Sequence, residues 1–205
     1  MEQDINVTSK KISKQERKAE LKLVHQKTAK PLLWIGIVSI IMLFAGLTSA
    51  YVVRADNGNW LVFQLPNIVF ISTAIIITSS ITMYMAQQAI KKDNLKLTSL
   101  SLLITLILGI GFFFTQIQAW KELTAQGIYF FGSKSNASGS FLYIIAFLHL
   151  CHMIGGLIAL SVSLTKCMLK KYSSSDFIGI ELTAIYWHFL DLLWVYLFLF
   201  LYFYR

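Results

Sequence analysis

An all-α, polytopic membrane protein with five transmembrane helices is the fold class this sequence predicts, and three observations predict it. Hydrophobic residues make up 56% of the 205, more than a soluble domain of that length would carry. They gather into five runs, near 32–53, 67–87, 97–118, 141–165 and 182–204, each of roughly 21 to 25 residues and long enough to cross a hydrocarbon core of about 30 Å as a helix. None of the runs alternates as a barrel strand would, and in lipid only helices or closed barrels satisfy the backbone.

The charge distribution sets the orientation. The net charge of +8 could suggest nucleic acid as a partner, but most Lys and Arg flank the apolar runs, where they set topology. Residues 1–30 carry eight basic residues, and Lys91, Lys92, Lys96, Lys166, Lys170 and Lys171 lie on the same side of the five runs. The opposite side has only Arg54, Lys121, Lys134 and Arg205. The positive-inside rule then places the amino terminus in the cytoplasm and the carboxyl terminus outside, with no nucleic-acid partner.

In chain order, residues 1–30 form a basic arm and residues 31–205 the membrane domain. Within the arm, Ser13-Lys-Gln-Glu16 has capping-box spacing, and Ile12, Leu21, Leu23 and Val24 give a thin apolar edge. The arm is expected to be short and partly helical at the membrane surface, ending at Pro31. A solvated tail that only enforces orientation fits these residues equally well. The lead is too long, and lacks the small-residue cleavage site, for a signal peptide. The stretch from Arg54 to Leu65 is a short connection, and Pro66 suits the first turn of the second helix. The connection near 119–140, with Gly127, Gly132 and Gly139, reads as an ordered cover. Trp34, Trp60 and Trp120 fall near span ends, as an aromatic belt requires.

The last span concentrates the polar chemistry. In Glu181-Leu-Thr-Ala-Ile-Tyr-Trp-His-Phe-Leu-Asp-Leu-Leu-Trp194, Trp187, Asp191 and Trp194 fall within about 60° of one another on a helix of about 100° per residue. His188 lies roughly 60° from Asp191, and Glu181 close to His188 two turns earlier. Ionisable groups at membrane depth usually face protein or a water-filled cavity, so the other helices are expected to gather around this stripe. The set could serve as a proton relay or as a mutually hydrogen-bonded lock, with His149 or His152 of the fourth span as partner. His149 and His152 lie one turn apart, and Gly156 lies within about 20° of His149. Inter-helix hydrogen bonding is the plainer reading of the two imidazoles, and haem or metal ligation the sharper one.

The remaining candidates carry less. Ser72, Thr73, Thr78, Ser79, Ser80 and Thr82 of the second span read as a packing surface of small hydroxyls. Gln116 and Gln118 sit near an interface, where a headgroup or loop contact is expected. Cys151 and Cys167 are the only cysteines; on one helix they stand about 24 Å apart and cannot bridge to each other. No nucleophile with its base and no zinc spacing is apparent, so neither a catalytic residue nor a metal ligand is assigned.

At this point the motifs resemble a known family. Tyr186-Trp-His-Phe-Leu-Asp-Leu-Leu-Trp194, preceded by Gly179 and Glu181, is similar to the last helix of subunit III of haem-copper terminal oxidases, the cytochrome c oxidase and quinol oxidase subunit 3 family. His149-Leu-Cys-His152 with Gly155 resembles its penultimate helix, Phe114-Thr-Gln-Ile-Gln-Ala119 the end of the helix before, and Pro66-Asn67 with Ser79-Ser80 the one before that. The resemblance covers roughly residues 32–205 and four of the five spans in order.

It implies the short five-helix form, two helix groups around a V-shaped cleft holding phospholipid, and no haem or copper in this chain. It implies a respiratory complex of the bacterial cytoplasmic (inner) membrane in which partner subunits carry haem and copper, reduce dioxygen to water and pump protons. Subunit I is the expected direct partner, with subunit II, subunit IV and a respiratory supercomplex beyond it. His149, His152, Glu181, Trp187, His188, Asp191 and Trp194 become the expected packing lock and lipid-headgroup contacts. Cytochrome c is the expected electron donor, from Tyr186 and the upstream Gly-x-Glu, with a quinol donor as the alternative. An independent two-histidine cytochrome and a lipid-processing enzyme are the readings from other classes. Two departures stand out: Ile40 follows Ser39 where many members have a glutamate, and Lys121-Glu122 follows the Gln-Ala element where members often have an acid.

Overall fold

The computed structural model describes residues 2–55, 65–130, 136–174 and 176–204. Within the first 26 residues it describes only the side chains of Arg17, Glu20 and Val24. The side chains of the expected capping box at Ser13–Glu16 and of Ile12, Leu21 and Leu23 therefore lie outside the described residues, as do Trp60, Gly132, Lys134 and Arg205. Five helices follow one another: α1 (Glu2–Ala55), α2 (Ile68–Lys91), α3 (Leu95–Ala125), α4 (Ala137–Met168) and α5 (Ile178–Phe203). All five are long and apolar enough to cross a membrane, α1 through Lys27–Ala55. The only β-pairing among the described residues is an isolated bridge between Ser173 and Asp176. This is a multi-pass, all-α membrane protein.

The helices outrun the apolar runs that predict them, because their ends continue into the polar interfacial layer. α3 extends to Ala125 rather than stopping near 118, and α4 opens at Ala137, taking Gly139 out of the expected loop. The largest difference is at Pro31. Proline removes a backbone donor and ordinarily kinks or breaks a helix, yet α1 carries Pro31 in its interior.

Residues 1–39 and 40–205 form two compact units. The first is helical throughout its described length. In the second, α2 packs against α3 and α5, and α4 packs against the same two helices, so α2–α5 form a closed ring of four. The link between α2 and α3 is short, which makes them antiparallel neighbours. Lys92 caps α2, Asp93 takes the left-handed conformation with φ 57°, and the Asn94 side chain accepts the Leu97 N–H at 3.1 Å to start α3. The Asp93 carboxylate accepts the Ser174 N–H at 3.1 Å, which ties this turn to the α4–α5 turn.

Residues 40–55 of α1 meet α4 and α5 through long side chains spaced at i, i+4 and i+7. Phe44 stands edge-on to His152 with ring centroids 5.8 Å apart. The Thr48 and Tyr196 hydroxyls share a hydrogen bond of 3.1 Å, and Tyr51 packs edge-on against Phe141 and Phe200. At the far end of α3 and α4, the Tyr143 hydroxyl donates to Ile128 O at 3.0 Å, which pins the connection between those helices.

Asn94→Ala is expected to lower unfolding stability in detergent by about 1 kcal/mol, the ordinary value of an N-cap side chain. Denaturation followed by circular dichroism measures it.

Candidate functional site

The candidate site is the inward face of α5 and what surrounds it. Trp187 is fully buried, and its indole N–H donates to Ser79 Oγ of α2 at 3.1 Å. The ring lies where α3 and α4 present glycine. A Cβ on Gly109 would fall 2.6 Å from Cη2 of Trp187, and one on Gly156 would fall 3.3 Å from the same ring and 3.0 Å from Leu190. Seven residues on, Trp194 repeats the pattern: its N–H donates to Thr73 Oγ1 of α2 at 3.1 Å. Its ring stands edge-on to Phe112 of α3, with centroids 5.0 Å apart, and tilted to His149 of α4 at 5.1 Å.

The hydroxyls of α2 act as acceptors because their own protons are committed. Ser72 and Thr73 donate to Val69 O, and Ser79 to Ile76 O, each at 2.8 Å. Their lone pairs then accept from other helices, which is the usual satisfaction of polar groups in lipid. Gln116 Nε2 of α3 donates to Ser72 Oγ at 2.9 Å. His188 Nδ1 and Ser80 Oγ are 2.7 Å apart. Thr82 and Thr105 join α2 to α3 at 2.7 Å, and Ser163 and Thr183 join α4 to α5 at 2.8 Å.

Several expectations change on this geometry. Trp187, His188 and Trp194 of α5 each hydrogen-bond a hydroxyl of α2. Asp191 is 4% exposed and faces the Ser80 hydroxyl of α2, but neither of its carboxyl oxygens makes a well-formed hydrogen bond among the described residues. His149 is fully buried against Phe112 and Trp194, with no hydrogen bond on either ring nitrogen among the described residues. His152 Nδ1 lies 2.7 Å from Leu148 O of its own helix, and Glu181 opens the first turn of α5, where a negative charge suits the helix dipole. Gln116, expected at an interface, is buried between helices; Gln118 is exposed. Cys151 is exposed and Cys167 buried, both as free thiols.

The arrangement holds helices together through hydrogen bonds and close packing. Among the described residues no three His, Cys, Asp or Glu side chains come together as a metal site. His149 and His152, one turn apart on one helix, lie on the same side of any planar ring, so they cannot supply its two axial ligands. Outside the spans, Tyr172 leans on Gly179, whose Cβ would collide with the phenol oxygen. Burial pushes the Tyr172 phenol pKa up, against a smaller opposite effect from its hydrogen bond to Ser163.

The signal that could have found these contacts is a seven-residue repeat. Ser72 and Ser79, Thr73 and Ser80, Gly109 and Gln116, His149 and Gly156, and Trp187 and Trp194 are each seven apart. Seven residues return a helix to nearly the same face, so each pair marks the inward side of its helix.

The sequence model of cytochrome c oxidase subunit III matches residues 60–205, which takes in all of α2–α5. The chain belongs to the cytochrome c oxidase subunit III family. Within that family, a probable cytochrome c oxidase subunit 3 of Nocardia farcinica is 33% identical over 85% of this chain and 86% of its own length. Cytochrome c oxidase subunit 3 of Rhipicephalus sanguineus is 34% identical over 68% of this chain and 51% of its own length. That of Alkalihalophilus pseudofirmus is 31% identical over 64% and 63%. This chain thus matches most of the Nocardia relative but about half the length of the Rhipicephalus one.

Gly109→Ala and Gly156→Ala are each expected to lower stability by about 1–3 kcal/mol, as overpacking against a fixed ring does. Asp191→Leu should leave the isolated chain as stable or more stable, because it removes a buried carboxyl that makes no well-formed hydrogen bond and has only the Ser80 hydroxyl beside it. Thermal unfolding of the purified variants in one detergent tests all three.

Proposed function

We propose that this chain is the non-catalytic subunit III of a proton-pumping haem-copper terminal oxidase in aerobic respiration. In this reading it sits in the bacterial cytoplasmic membrane, amino terminus inside and carboxyl terminus outside. Haem and copper reside in partner subunits, where dioxygen is reduced to water. The chain packs directly on subunit I, stabilises it during turnover and holds phospholipid, with subunit II, subunit IV and a supercomplex as further neighbours.

One observation carries the proposal. The family match falls on α2–α5, the same segment that closes into a ring around Trp187 and Trp194. Trp187 and Trp194, which help to make the resemblance specific, are also residues that hold the ring together. Cytochrome c is taken as the donor because the relatives named above are cytochrome c oxidase subunits and Tyr186 and Gly179-x-Glu181 agree with that branch.

The test is a pull-down of the tagged chain in gentle detergent, with an optical spectrum and mass spectrometry of the eluate. Co-purification of subunits I and II with their haem spectrum is the expected result. A colourless chain recovered alone from intact membranes would overturn the proposal, and haem bound to the lone chain would make it a cytochrome.

A further inference from the structure

The connection between α4 and α5 contains Lys170-Lys171-Tyr172-Ser173-Ser174-Ser175-Asp176. Within it Ser174 is exposed, and its backbone N–H is held by the Asp93 carboxylate of the α2–α3 turn. We propose that Ser174 is a phosphorylation site, and that a phosphate there releases the α4–α5 turn from Asp93. The proposal rests on the orientation proposed above, which puts this turn in the cytoplasm, where ATP is available as the phosphoryl donor.

The open backbone around the serine is the first support. The turn is closed by the isolated bridge of Ser173 with Asp176, two backbone bonds of 3.4 and 3.1 Å. A segment held by few bonds opens at little cost, and nine residues between helices extend to about 30 Å. Lys170 and Lys171, both exposed, stand four and three residues before Ser174, and kinases select acceptors by charge patterns of this kind. Spacing alone does not make a site. Lys96 also stands three residues before Ser99, but Ser99 lies within α3 and its hydroxyl donates to Lys96 O at 3.0 Å. Ser174 joins the spacing to an exposed, non-helical backbone, whereas Ser173 is half-buried in the bridge.

Asp93 is the second support. It takes the left-handed position that ends α2, with φ 57°, where glycine is the favoured residue. The carboxylate that glycine lacks is the group that accepts the Ser174 N–H at 3.1 Å. In the transfer, Ser174 Oγ attacks the γ-phosphorus of ATP and its proton passes to a base of the kinase. The bond from phosphorus to the β–γ bridging oxygen breaks, and ADP leaves. The product carries a charge of about −1.5 to −2 on the residue that the carboxylate grips, and like charges so placed disrupt a contact. Lys92, Lys170 and Lys171 are exposed, where single ion pairs contribute little, so repulsion from the adjacent carboxylate outweighs them.

The experiment uses the full chain with its accompanying subunits in sealed inside-out and right-side-out vesicles of native membrane. Both are incubated with ATP and soluble extract of the same cells, and peptide mass spectrometry locates the phosphate. Phosphate on Ser174 is expected from inside-out vesicles and not from right-side-out ones. Ser174→Ala should lose it, and Lys171→Gln should lower it about fivefold, the ratio given by one surface ion pair. Hydrogen exchange in the turn peptide should quicken on phosphorylation to the rate of Asp93→Gly, which keeps the left-handed turn without its carboxylate. No phosphate on Ser174 from either vesicle, phosphate on Ser173 in its place, equal phosphate on Ser99, or exchange unchanged by phosphorylation would overturn the proposal. Those outcomes leave the orientation and the pull-down result standing. Labelling of Ser174 from right-side-out vesicles alone would overturn the orientation and the proposal with it.

Discussion

The indole of Trp187 touches three other helices at once, and the ring of α2–α5 depends on that. Its N–H reaches Ser79 on α2, and its ring fills the space left by Gly109 on α3 and Gly156 on α4. Between lipid-bathed helices there is little hydrophobic driving force, so close packing and inter-helix hydrogen bonds hold them together. A large flat ring seated on two bare backbones supplies the packing, and a single directional donor fixes its rotation. Trp194 repeats this two turns away with Thr73, Phe112 and His149. Two such layers define the relative height of all four helices.

Asp191 lies on α5 between the two indole layers, and its carboxyl oxygens find no hydrogen bond among the described residues. His149, beside Trp194, is in the same condition. Buried polar groups without partners cost stability, so these two side chains oppose the packing that surrounds them. The net stability of the ring rests on the indoles, the glycines and the hydroxyls of α2.

Much of this was legible in the residues. The five spans follow from apolar run length, and the inward face of α5 from the angular spacing of Trp187, Asp191 and Trp194. The bonding pattern was less accessible. Charge and titratability draw attention to Glu181, His188, Asp191 and the two histidines of α4, yet the hydrogen bonds go to Ser72, Thr73, Ser79 and Ser80, whose small hydroxyls carry no such signal singly. Their seven-residue spacing does carry it, once set beside that of the tryptophans. Pro31 is a different case: the polar-to-apolar change in composition falls there, but the helix of α1 runs through it unbroken. Gln116 lies near the end of its apolar run, which points to an interface, whereas one amide donor aimed at Ser72 lets it sit in the bundle.

The committed hydroxyl protons of α2 also bear on how the chain is built. A helix leaves the ribosome and enters the bilayer before those that follow it, so α2 must wait for α5. It can do so at little cost, because Ser72, Thr73 and Ser79 already donate to their own turn and only lone pairs face the lipid. The last helix is in the opposite position, since the N–H groups of Trp187 and Trp194 have no acceptor within α5 itself. Biogenesis is therefore asymmetric: the early helices form a self-sufficient socket, and the final one enters the membrane with donors that only that socket satisfies.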